Sequence, residues 1–146
     1  MADTRCQLEC EDWVRLNFLP VRFGQPFSRE RLRLSSGGVF DFDAVSTDRK
    51  IVATISTSGA TTASGKYGVG KMMKLRSDML FLLLAERLQS FIVLTECDMY
   101  ELCRKEQQAG RVPKQIDFLH AELPPELVQR LREARRVSSA EVSPQS

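Results

Sequence analysis

The chain has 146 residues, 42% hydrophobic and 27% charged, which is enough apolar material for one globular domain with a core of its own. A formal net charge of +2 excludes any inference of a nucleic-acid partner from bulk charge, so electrostatic arguments must rest on local clusters. The longest apolar run, Met79 to Ala85, is too short to span a bilayer, the MADTRCQLEC start is unlike a signal peptide, and neither the four cysteines nor His120 has zinc-site spacing, so a cytoplasmic protein with reduced thiols is expected.

Residues 7–18 place Leu8, Trp13, Val14, Leu16 and Phe18 among charges, which predicts an amphipathic helix ending before Pro20. Residues 21–30 read as a loop and 31–35 as a half-buried strand closed by a Gly37-Gly38 hairpin turn. Val39 to Val45 alternates, with Val39, Asp41, Asp43 and Val45 on one face and Phe40, Phe42 and Ala44 on the other. Ser46 to Arg49 forms a second turn. Ile51 to Ile55 is almost wholly apolar, as expected of a central strand covered on both faces.

A Gly/Ser/Thr loop over 58–70 follows, then a long helix over 71–88, a buried strand Phe91 to Thr95, a helix Met99 to Gln108, an edge strand Ile116 to Leu119 and a short helix Pro125 to Arg136. Residues 1–136 are read as one domain and 137–146 as a disordered tail. Three meandering strands, a crossover helix and a further, parallel strand give an α/β fold, a mixed central sheet flanked by helices.

Asp41 and Asp43 are unusual in a strand, because two carboxylates on a core-facing side would be buried at high cost. Their face is therefore open to solvent or part of a site. Lys71, Lys74 and Asp78 fall at helical spacing with Arg76 nearby, and Lys66 precedes them in the loop. The plain reading is the solvent face of an amphipathic helix. The functional reading is a basic edge for a phosphate backbone, with the arginines of 130–136 as a second patch. Gly65 to Lys71 fits G-x-x-x-x-G-K, but Met72 stands where a nucleotide-binding loop needs Ser or Thr, so this segment is read as a flexible glycine-rich loop that at most binds phosphate. Cys97 and Cys103 are expected as core thiols.

The order of elements over residues 7–96, with FDAV at Phe42 to Val45, resembles the PD-(D/E)xK nuclease superfamily, the restriction-endonuclease-like fold. The resemblance implies that Asp43 holds magnesium, together with a helix acid supplied by Glu9, Glu11 or Asp12, of which Glu11 is the candidate. It implies an acid and a lysine on the third strand, where this chain has Thr54 and Ser56. A hydroxyl cannot replace a charged ligand to a hard dication, nor can Ser56 supply positive charge. Some members of the superfamily relocate the lysine to the following helix, a part that Lys66, Lys71 or Lys74 could take here.

The expected function is that of a pseudoenzyme: a nuclease-like domain without its catalytic acid and lysine, binding nucleic acid or another phosphate-bearing partner, or serving assembly. One alternative is an active Mg2+-dependent nuclease with a rearranged site. The other is a protein-interaction subunit, or homodimer, without a ligand.

Overall fold

The computed structural model describes residues 5–60 and 68–142. Its centre is a five-stranded sheet in the order β1 (Phe27–Arg33), β2 (Val39–Ser46), β3 (Ile51–Ser56), β4 (Gln89–Leu94), β5 (Ile116–His120). β1, β2 and β3 pair antiparallel, and β3, β4 and β5 pair parallel. β3 is therefore the middle strand, with residues 51–55 all buried, as its apolar run demands. The crossover from β3 to β4 runs through α3 (Val69–Ala85), and α4 (Cys97–Gln108) carries the chain from β4 to β5.

Each face of the sheet has its own apolar cluster. On one face Phe42, Val45, Val52, Ile92 and Leu94 meet Met72, Leu75 and Leu82 of α3 with Met99 and Cys103 of α4. On the other, Ala44, Ala53, Ile55 and Val93 meet the N-terminal helical segment and Leu127 and Leu131 of α5 (Pro125–Val142). The tip of the β1–β2 hairpin is fastened to α3. Phe40 stacks on Phe81 with ring centroids 4.2 Å apart, and the Ser35 N–H donates to the Leu84 carbonyl at 2.8 Å. Gly37, with φ of 98°, supplies the turn that lets the Leu34 N–H reach the Gly38 carbonyl at 2.8 Å.

The N-terminal helical segment differs from its sequence pattern. It does not stop before Pro20. α1 (Arg5–Trp13) passes into a π-helical stretch, Val14–Phe18, and then α2 (Leu19–Phe23), which ends at Gly24 in the left-handed region. Pro20 has no N–H for the helical ladder. The wide turn ahead of it, closed by the Leu19 N–H on the Val14 carbonyl, changes the bonding register before that gap is reached. The buried positions become Cys10, Val14 and Leu19, whereas Leu16, expected in the core, is 64% exposed.

Two other boundaries move, and one strand is irregular. β1 begins at Phe27, inside the expected loop. The alternation of β2 is interrupted. Between the pairs Ser28–Val45 and Glu30–Phe42, β2 carries one residue more than β1, which makes a bulge at Asp43–Ala44. Phe42 and Val45 thus share the α3 face while Ala44 takes the other. α5 continues past Arg136 to Val142, into the segment expected as a disordered tail, where no Gly or Pro interrupts it. Cys103 is a core thiol as expected, but Cys97 is exposed in the first turn of α4.

The π-helical shift has a direct test. Leu19→Ala is expected to lower unfolding free energy in urea by about 2–5 kcal/mol, as for other buried leucines. Leu16→Ala is expected to change it by less than about 0.5 kcal/mol. The reverse order would restore an uninterrupted α-helical register.

Candidate functional site

The site is built where β2 leaves β3. The register pairs of the two strands are Val45–Val52 and Ala44–Ala53. At the next position the backbone of Asp43 no longer serves the ladder. Its carbonyl accepts the Arg15 Nε–H at 2.7 Å, and its carboxylate Oδ2 accepts the Ile55 N–H at 2.8 Å. The bulge turns the Asp43 side chain into the place a strand carbonyl would fill. Arg15, 7% exposed on the π-helical stretch, is itself held by Asp12 at 2.6 Å, so the helix is joined to the bulge by a buried guanidinium and the bulge to the central strand by the Asp43 carboxylate.

The charge of Asp43 acts on two further carboxylates. Glu11 of α1 is partly buried, and its carboxyl is pushed above its ordinary range first by burial and then by the charge of Asp43. Asp78 of α3 is 7% exposed, and burial likewise raises its carboxyl, with Lys74 opposing at 3.4 Å and Asp43 adding to the rise. Asp43 is thus flanked by an acid from the N-terminal helix and one from the crossover helix. Carboxylates held in environments that resist ionisation occur both at functional sites and in structural networks.

Asp78 is the residue that the sequence pattern misplaces. Its spacing puts it with Lys71 and Lys74 on a solvent face, but the helix is rotated so that Asp78 points inward.

The other candidates separate. Thr54 is buried, and its Oγ1 finds no hydrogen-bond partner among the described residues. Ser56 is taken up locally: its Oγ accepts the Ser58 N–H at 3.3 Å, and its carbonyl accepts the Thr95 N–H at 3.1 Å. Lys71 lies in the first turn of α3 with its side chain across Gly68, so that a Cβ at Gly68 would stand 3.0 Å from Lys71 Cδ. Lys74 is 76% exposed beside Asp78.

Arg76 does not join that edge. It reaches Glu106 of α4 at 3.4 Å, a carboxylate that Arg111 also holds at 2.6 Å. Lys66 lies outside the described residues. The alternative arginine patch is partly engaged: Arg130 pairs with Glu9 at 2.6 Å, and Arg135 bonds both Glu96 and the Thr57 carbonyl, tying α5 to the ends of β3 and β4.

A divalent ion does not fit this donor set. Among the described residues no group of three His, Cys, Asp or Glu side chains could hold a metal ion, and one oxygen of Asp43 is already bonded to a backbone N–H. No helix among the described residues is long and apolar enough to cross a membrane. No family model matches the chain, and no curated protein or solved structure matches it either.

Two substitutions test this geometry. Burial raises the Asp78 carboxyl, so its neutral form is favoured in the folded state. The resulting penalty is absent below the unfolded carboxylate range, near pH 4, and grows as pH rises through the raised value. Asp78→Asn is therefore expected to raise Tm by a few degrees at pH 7 in thermal melts, with the gain disappearing toward pH 4. Thr54→Val removes the unpartnered hydroxyl at nearly unchanged shape and is expected to add about 1 kcal/mol of stability in urea titrations.

Proposed function

We propose that this domain binds a phosphate-bearing partner, nucleic acid first among them, and does not cleave it. The observation that carries the reading is the start of α3. The helix opens after the carboxyl end of the central strand, with no side-chain cap, no acidic residue in its first turn, and Lys71 and Lys74 in its first two turns. Free N–H groups at a helix N-terminus attract anions, and in open α/β sheets ligands gather beyond the carboxyl ends of parallel strands. The meander, the parallel crossover and Asp43 at the parting of two strands support the resemblance to the PD-(D/E)xK arrangement. The neutral, buried Thr54 in the position of the acid supports loss of catalysis.

One observation favours the second reading, an active nuclease with a rearranged site. Asp78 and Lys74 place an acid and a lysine one helical turn apart on the crossover helix, with Asp78 within electrostatic reach of Asp43.

Two measurements decide between them. Plasmid and single-stranded DNA incubated with the protein and Mg2+ are expected to remain intact over a range of pH. Cleavage that vanishes in both Asp43→Asn and Asp78→Asn would establish the second reading. Fluorescence anisotropy with a labelled oligonucleotide is expected to show salt-dependent binding, and Lys71→Gln/Lys74→Gln to flatten the log–log salt slope by roughly 1.4 on single strands, about 0.7 for each phosphate lost. Absence of binding at low salt would leave the protein-interaction subunit as the better account.

A further inference from the structure

The β1–β2 hairpin is covered on one face only. Leu32, Leu34, Phe40 and Phe42 turn toward α3, and Leu32, Leu34 and Phe42 are buried there. On the opposite face Phe27 is buried under the N-terminal helical segment, but beyond it Arg29, Arg31 and Arg33 follow at every second position and are all exposed. β1 itself has no extra residue, so the three arginines keep to one side of the strand. Their Cα atoms then lie about 6.7 Å apart, from a rise of about 3.3–3.4 Å per residue.

The row is neutralised by its neighbours only in part. Glu30 points to the other face, where Arg49 holds it at 3.1 Å. Arg31 makes a two-pronged contact with Asp41 across the strand pair, Nε to Oδ1 at 2.8 Å and Nη2 to Oδ2 at 3.2 Å. Arg29 and Arg33 have no ion pair among the described residues. At its inner end the row meets the site, because the charge of Arg29 acts on Glu11 and on Asp41.

We infer that the open face of the β1–β2 hairpin is a track for a nucleic-acid strand, with Arg29 and Arg33 each gripping a backbone phosphate and Asp41 holding Arg31 in reserve. The inference rests on the phosphate-bearing partner proposed above but assigns the contact to another surface. Evenly repeated single charges suit a polymer with evenly repeated phosphates, and guanidinium forks suit phosphate oxygens two at a time. Asp41 restricts the grip at the centre of the row, so the interaction is of modest strength.

The test is an anisotropy titration of the full chain with a fluorescein-labelled thymidine 20-mer across a salt series. Arg29→Gln/Arg33→Gln is expected to flatten the log–log slope by roughly 1.4, two phosphates at about 0.7 each, while Arg29→Lys/Arg33→Lys retains it. Asp41→Asn, which frees Arg31 and removes a negative charge, is expected to tighten binding and steepen the slope by roughly 0.7. Circular-dichroism melts of each variant check that the fold is kept.

If Arg29→Gln/Arg33→Gln, folded, binds like wild type while Lys71→Gln/Lys74→Gln does not, the inference is overturned and the α3 reading stands. If only the arginine pair matters, the inference stands and the α3 reading falls. No binding by wild type overturns both. Polyglutamate competing as well as unlabelled 20-mer at equal charge also overturns the inference, because the surface would then suit an acidic protein.

Discussion

The rest of the architecture depends on how one aspartate divides its bonds. Asp43 gives its carbonyl to a buried arginine on the N-terminal helical segment and offers its carboxylate to the backbone of the central strand. Each bond solves a problem that the other creates. The bulge in β2 leaves the Ile55 N–H without a strand carbonyl, and a buried N–H without an acceptor is costly. The same bulge turns the Asp43 carbonyl out of the ladder, where Arg15 meets it. Removing either partner would strand a polar group in the interior. The helix, the bulge and the middle of the sheet therefore form one mechanical unit.

Around that unit the charges are segregated. Acids gather where β2 and β3 part, with Glu11 and Asp78 both resisting ionisation because of burial. Cations lie outward, along α3 on one face of the sheet and along β1 on the other. Several are engaged in joining elements: Arg76 and Arg111 share Glu106 between α3 and α4, and Arg130 links α5 to α1. The exposed cations along α3 and β1 are ordered in space, which is how a chain of formal charge +2 can present cationic surfaces at all.

Much of the fold was legible because burial on both faces writes itself directly into sequence. Ile51 to Ile55 has no polar face to lose, so its central place followed, and a helix between it and the next apolar run required a parallel crossover. The bulge was not legible, since one additional residue in a strand leaves the sequence looking regularly alternating while reversing which side chains share a face. Asp78 was misread for a related reason. Its spacing from Lys74 describes a stripe on a helix, but the stripe that faces inward is the one carrying Met72, Leu75, Met79 and Leu82, which pack on the sheet, and Asp78 lies among them. The engagement of Arg76 with Glu106 was hidden in the same way, because thirty residues separate the partners.

The π-helical stretch bears on how this chain tolerates changes in length. Cys10, Val14 and Leu19 are all fully buried at intervals that no uninterrupted α-helix can present on one stripe. A single-residue deletion at Leu16, Asn17 or Phe18 would leave four-residue intervals, which a regular α-helix already presents on one stripe, whereas a single-residue insertion would turn everything upstream by about 100° against the sheet. With such an insertion Cys10 would swing outward, and Glu11 would leave the neighbourhood of Asp43. Residue identity is constrained there at Val14, which is fully buried, and at Arg15, whose guanidinium holds the Asp43 carbonyl. At the exposed positions Leu16 and Asn17 natural variation should show substitutions and even a one-residue gap, but insertions hardly at all.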